Sequence, residues 1–304
     1  MGNVAALDCG SNSTRLLICG EDGTALRREM TITRLSQGVD ASGMLATEAL
    51  QRSYDTLARY REFMDAHNVD RGLLVATSAV RDAVNGAEFL SAASEITGVT
   101  SRILSGNEEA TFSFAGATAD LEPHASTDVI LDIGGGSTEI AGRIGQELVS
   151  YSMQLGCVRV TERALGKEVV TPEREAAALA MINEQLQLAF AKAPKFESIV
   201  GNVRLIGLAG TVATLAQLAT GEAEYLRERV HHQTLSSADV RHWRDTLSSM
   251  SPEERLRIPA MVPGREDVLH AGLYILLAVM ERFQIDELLT SENDILDGIA
   301  ASLL

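Results

Sequence analysis

The chain reads as an α/β protein made of two copies of one domain, and three observations predict this. Short apolar runs alternate with longer helical patterns along its whole length, the signature of sheets covered by helices. A strand-turn-strand segment at Asp8 returns at Asp132, with Asp, Gly, Ser and Thr at the same offsets of zero, two, five and six. The 304 residues, 45% hydrophobic with six prolines, also hold more apolar material than one ordinary core takes, and two domains of roughly 150 residues are the usual solution. A period of 124 residues is too long for a solenoid, so the repeat is a duplicated domain.

The elements follow in order. Val4 to Gly20 gives a strand, a Gly/Ser/Asn turn and a second strand, closed by the turn at Glu21-Asp22-Gly23. A third strand is expected near Ala25 to Leu35 and a long helix from about Thr47 to His67. Gly72 to Thr77 reads as a buried strand, Gly86 to Ile96 as an amphipathic helix and Thr100 to Leu104 as another strand. At Ser105 a helix opens with the Ser-x-x-Glu spacing of a capping box, which assigns Glu108 to the cap. Asp120 to Asp128 is polar and contains Pro123, so the boundary is expected there, with domains at 1–124 and 125–304 and the last helix free to pack back on the first. The second cycle runs from Val129 to Gly142. Thr171-Pro172 caps a helix to about Ala191, Val203 to Leu208 is a strand feeding a further helix, and Ser236-x-x-Asp239 and Ser251-Pro252-Glu253-Glu254 are two more caps. The last helices are expected near Gly264 to Phe283 and Asn293 to Leu304.

Composition excludes several classes. Forty-two acidic against 26 basic residues give a net charge of −16, which removes the electrostatic term that nonspecific nucleic-acid binders depend on. The longest wholly apolar run, Leu273 to Met280, falls far short of the ~20 residues of a membrane span. The N-terminus has no basic region and reaches Asp8 too early for a signal peptide, so the cytoplasm is the expected compartment. Cys9, Cys19 and Cys157 match no metal spacing and read as buried thiols; the six histidines, His231 and His232 included, read as surface or packing residues.

The chemistry sits in the repeated turns. A Gly/Ser turn between strands presents successive backbone N–H groups into one concavity, a nest for a phosphate oxygen. Gly10, Ser11, Asn12 and Ser13 would face Gly134, Gly135, Gly136, Ser137 and Thr138 across a cleft and clasp a chain of phosphates. Asp8 and Asp132 end their strands beside these turns, where a carboxylate holds Mg²⁺ directly or through water; hydrogen-bonding aspartates of tight hairpins are the alternative. Glu139 is either an outward-facing strand residue or a metal carboxylate. Glu109 lies about 100° around the helix from Glu108 and is either a surface residue or directed into the cleft. Arg81 follows a buried strand and suits bidentate phosphate binding, against a plain surface turn.

Six motifs in order resemble the exopolyphosphatase and guanosine pentaphosphate phosphohydrolase (Ppx/GppA) family of the actin, sugar kinase and Hsp70-like superfamily. They are Asp8-Cys9-Gly10-Ser11-Asn12-Ser13, Ala76 to Asn85, Ser105-Gly106-x-Glu108-Glu109-Ala110, Asp132 to Glu139, Leu155 to Arg159 and Gly207-x-Ala209-Gly210-Thr211, with Arg265-x-Asp267-Val268 extending the set. The resemblance implies two ribonuclease-H-like (actin-like ATPase) domains flanking an active-site cleft. It implies hydrolysis of the terminal phosphate of inorganic polyphosphate, or conversion of pppGpp to ppGpp. It carries the catalytic role to Glu109, metal binding to Asp132 and Glu139 with Mg²⁺ or alternatively Mn²⁺, and phosphate binding to the two turns. A homodimer is the assembly it suggests. The mechanism expected is in-line attack by water, with Glu109 as base. A cleft that takes a polyanion must be locally positive despite the net charge, and Arg15, Arg81 and Arg159 are the candidates to line it, with Gly210 and Thr211 as further contacts. Because the Gly207 to Thr211 loop resembles the adenosine-holding loop of kinase relatives, a kinase stays open, as does a nucleotide- or alarmone-binding regulator without turnover.

Overall fold

The structure is a computed structural model and describes residues 2–304. Its first sheet contains β1 (Asn3–Cys9), β2 (Ser13–Cys19), β3 (Ala25–Ile32), β4 (Val69–Ala76) and β5 (Thr100–Ile103), in the order β3-β2-β1-β4-β5. β1, β2 and β3 pair antiparallel, as hairpins do, whereas β4 and β5 join in parallel after helical crossovers. The second sheet contains β6 (Thr127–Ile133), β7 (Thr138–Ile144), β8 (Glu147–Met153), β9 (Val203–Leu208), β10 (Thr234–Ser236) and β11 (Glu287–Thr290). Read from its hairpin edge it runs β8-β7-β6-β9-β11, with β10 added antiparallel at the far side. The order and strand directions of the first sheet are repeated, which is the duplicated ribonuclease-H-like architecture the motifs imply.

Side-chain alternation decides what covers each sheet. On β1, Ala5, Leu7 and Cys9 enter a core with Leu57, Tyr60 and Phe89 of the helices Thr47–Ala66 and Gly86–Thr97. Val4 and Ala6, on the other face, pack with Ile295, Leu296, Ile299 and Ala300 of the final helix, Ile295–Leu303. The C-terminal helix therefore completes the first domain. The compact units are Met1–Gly116 with Asp294–Leu304, and Ala117–Asn293. The boundary expected after residue 124 thus lies eight residues earlier, within the helix Gly106–Thr118, and the residues after Asn293 belong to the first unit. The polar stretch Asp120 to Asp128 lies inside the second unit, where it leads into β6.

In the second unit the helix Leu269–Phe283 carries the longest apolar run and is buried on nearly every side. That explains its composition: it is a core helix. No helix among the described residues is long and apolar enough to cross a membrane. Three strands escape the sequence pattern, β8 because it is an edge strand with mixed faces, and β10 and β11 because three and four residues show no period. All three cysteines are buried free thiols.

Candidate active site

The two Gly/Ser turns have one geometry. Gly10 N–H donates to the Ser13 carbonyl at 3.0 Å, and 124 residues later Gly134 N–H donates to the Ser137 carbonyl at 3.0 Å. A Cβ on either glycine would approach that carbonyl to 3.2 or 3.1 Å, tighter than most side chains meet. The carbonyls inside each turn are taken by the segment that follows the third strand of each domain, β3 or β8. Ser11 accepts from Ser36, and Asn12 from Thr33 and Arg34; Gly134 accepts from Cys157, and Gly135 from Val158 and Arg159. In a planar trans peptide the N–H points opposite to the C=O, so the amides of Asn12, Gly135 and Gly136 face away from these partners. Asn12 Nδ2 and Thr138 Oγ1 are buried without a hydrogen-bond partner among the described residues, the condition of groups placed for a ligand.

Cross-strand register then separates the two domains. Asp132 stands directly opposite Glu139 across β6 and β7, so both carboxylates share one face of the sheet. Glu139 is 1% exposed and accepts from Ser152 Oγ at 2.6 Å, which removes the reading of an outward-facing strand residue. In the first domain the corresponding pair is Asp8 opposite Arg15. Arg15 Nε and Nη2 donate to Asp8 Oδ2 at 3.1 and 2.6 Å, and its Nη1 binds Asp294. Burial raises the Asp8 carboxyl above its ordinary value, with Arg15 opposing the shift. Asp8 and Arg15 are therefore joined to each other rather than separately presented.

At the start of the helix Gly106–Thr118, Ser105 and Glu108 form the expected reciprocal cap: Ser105 N–H donates to Glu108 Oε2 at 2.9 Å and Glu108 N–H to Ser105 Oγ at 3.3 Å. The Ser105 bonds and Arg102 hold the Glu108 carboxyl down to about 2. Glu109 is buried, and Arg81 Nη1 lies 3.7 Å from its Oε2 while donating to the Leu104 carbonyl at 2.8 Å. Ser11 Oγ and Ser78 Oγ, 3.0 Å apart, join the Gly10 to Ser13 turn to the helix Ser78–Asp82 that carries Arg81. The fold thus brings Gly10 to Ser13, Asp8, Arg15, Arg81 and Glu109 together in the first domain.

In the second domain Gly207 to Thr211 ends β9 and opens the helix Ala209–Thr220, with Ala209 at φ +64°. Gly210 leaves room for Arg265: a Cβ there would lie 1.8 Å from the Arg265 guanidinium, which would have to move away. The buried Arg265 also lies near Cys157, whose thiol burial pushes up and Arg265 pulls down. Arg265 is the site residue that pattern reading misses. It belongs to the last quoted motif, yet only the fold sets it against Gly210 and near Cys157. Arg159 touches that turn through its backbone, and its side chain donates to Gln154 at 2.9 Å.

Two of the histidines read as surface or packing residues meet an acid at the surface. His231 Nε2 lies 3.0 Å and His232 Nε2 3.6 Å from the two oxygens of Asp120, and the rings stack at 3.8 Å. Three residues able to ligate a metal meet there, but the His231 Nδ1 accepts from Glu292 N–H at 3.0 Å. Its proton therefore resides on Nε2, where Asp120 accepts it, and a metal would have to displace both bonds.

Comparison with known proteins adds the following. The family model described as the Ppx/GppA phosphatase family matches residues 20–304. Exopolyphosphatase 2 of Mycobacterium tuberculosis is 38% identical over 316 aligned positions, covering 99% of this chain and 98% of that one. The crystal structure of an exopolyphosphatase-like protein, 33% identical, superposes with a TM-score of 0.93 over 99% of this chain and 97% of its own. A Ppx/GppA family member from Aquifex aeolicus, 27% identical, gives 0.80 over 99% and 97%.

Proposed function

The chain belongs to the Ppx/GppA phosphatase family, and from that premise we propose that it is an exopolyphosphatase that hydrolyses the terminal phosphoanhydride of inorganic polyphosphate. The observation that carries this reading is its likeness to an exopolyphosphatase over essentially the whole of both chains. The paired turns support it, because backbone amides with fixed carbonyl partners grip phosphate oxygens without needing net positive charge.

In the mechanism we propose, Glu109 orients a water for in-line attack and accepts its proton as the phosphorus–oxygen bond forms. Arg81 fixes the direction of the Glu109 carboxylate. The Asn12 amide in the first turn and the Gly135 and Gly136 amides in the second are each set to grip a phosphate oxygen, and Arg265 adds a guanidinium beside Gly210 and near Cys157. Asp132 and Glu139 are two hard oxygen donors on one sheet face, a donor set that fits Mg²⁺ or Mn²⁺. Bound there, the ion would offset charge on the transferring phosphoryl group. The same reading extends to pppGpp as a second substrate, to a homodimer and to the cytoplasm.

The test is orthophosphate release with Mg²⁺ by wild type and Glu109→Gln on short polyphosphate, long polyphosphate and pppGpp in parallel. Wild type should release phosphate from polyphosphate, and the variant should lose roughly 10²-fold or more. Release from none of the three substrates would overturn the hydrolase reading. ADP formation that depends on an acceptor would favour a kinase instead, and ligand stabilisation without turnover a regulator.

A further inference from the structure

We infer that Arg15 is the built-in counter-cation of the first phosphate turn: it stands where the second domain has Glu139, and the chain accordingly takes one divalent cation rather than two. The inference rests on the assignment of a metal to Asp132 and Glu139 made above.

The duplication sets up the comparison. Asp8 and Asp132 end equivalent strands, and the residue seven positions later stands directly opposite each of them on the next strand. In an antiparallel pair, opposed residues share a face with Cβ atoms about 4.5–5.5 Å apart. In the second domain that partner is an acid, and two carboxylates so placed favour a shared divalent cation. In the first it is Arg15, and the positive charge is already covalently present.

The surroundings of Arg15 close the first site to metal. Two of its nitrogens converge on Asp8 Oδ2, and its third binds Asp294, the N-cap of the final helix. The Asp294 carboxylate also accepts from Leu296 N–H at 2.9 Å. Arg28 continues the chain, 3.9 Å from Asp294 and 2.5 Å from Asp297. Charge alternates along Asp8, Arg15, Asp294, Arg28 and Asp297. A divalent ion on Asp8 would have to pull the rigid guanidinium fork from two acids at once, or sit on Oδ1 alone beside a fixed positive charge. One monodentate carboxylate is a poor site for either Mg²⁺ or Mn²⁺. Oδ1 of Asp8 is buried without a hydrogen-bond partner among the described residues. Next to a guanidinium it suits an uncharged donor such as water. Arg15 is thus a positioning residue, which holds Asp8 at the turn and ties the turn to the C-terminal helix.

Counting Mn²⁺ bound per full-length chain by equilibrium dialysis tests this without reference to activity. Wild type should bind one ion, Asp132→Asn none, Asp8→Asn one and Arg15→Glu two. Asp8→Asn should also miss the roughly 10–100-fold affinity loss that follows removal of a supporting residue of a real metal site. A lower count in Asp8→Asn overturns the inference, and so does a folded Arg15→Glu that gains no ion. If circular dichroism shows Arg15→Glu unfolded, Asp8→Asn alone decides. If wild type and Asp132→Asn bind the same number, the metal assignment to Asp132 falls. The role of Arg15 is then still decided by whether Arg15→Glu gains an ion over wild type.

Discussion

Adjacent glutamates divide the labour at the start of one helix. Glu108 is held by Ser105 and Arg102 at the surface, whereas Glu109 is buried beside Arg81. Glu108→Ala should therefore cost about 1 kcal/mol of stability, the usual worth of a helix cap, and lower the urea midpoint without the rate loss expected of Glu109→Gln. A cap is legible in sequence because its partners lie three residues apart. Glu139 and Arg15 are less so: their neighbours are set by register across a strand pair, and the same letters are compatible with a solvent-facing carboxylate or an open cation. Arg265 and the Asp120, His231 and His232 cluster are further still from legibility, because their contacts join segments that no local period relates.

At the scale of elements, the strands and helices with strong periodicity fall where the pattern puts them. The final helix is among them; what its sequence does not show is which strands it covers, since its partners Val4, Ala6 and Leu17 lie at the other end of the chain. Its close fit to the helix Gly106–Thr118 follows from two glycines. A Cβ at Gly298 would lie 2.0 Å from the Phe112 carbonyl, and one at Gly116 would lie 1.9 Å from the Asp294 carbonyl. Both clashes are with backbone, which cannot rotate away. Gly298→Ala should therefore destabilise the protein by about 1–3 kcal/mol or more, read as a Tm lowered by several degrees in calorimetry. An unchanged Tm would mean that the two helices can separate freely.

For the molecule as a whole, acid stability should be governed in part by a buried histidine outside the phosphate turns. His270 is buried against Arg255, which donates to the carbonyls of Leu247, Lys167 and Glu266, and its Nε2 lies 3.0 Å from the Gly166 carbonyl. Burial first, and then Arg255, push the His270 imidazole down to about 3. The unfolded chain takes up its proton below its ordinary value of 6.5, and the folded chain does so only near 3. This histidine therefore leaves stability unchanged above pH 6.5 and removes it as pH falls from there toward 3, by at most about 1.4 kcal/mol per pH unit. Urea midpoints measured from pH 7 to pH 4 should fall, and more steeply in wild type than in a folded His270→Asn. Equal slopes would remove His270 as the cause.

The return of the chain after Asn293 also dictates an order of events during synthesis. The first sheet is translated early, but the helix that covers Val4, Ala6 and Leu17 leaves the ribosome only after every residue of the second unit. At about 5–20 residues per second, that apolar face waits on the order of ten to thirty-five seconds for its cover. The second unit, whose residues are contiguous, is able to complete its fold while the first is still open. Nascent chains stalled before Asp294 should accordingly recruit holding chaperones to the amino-terminal half, and full-length release should discharge them.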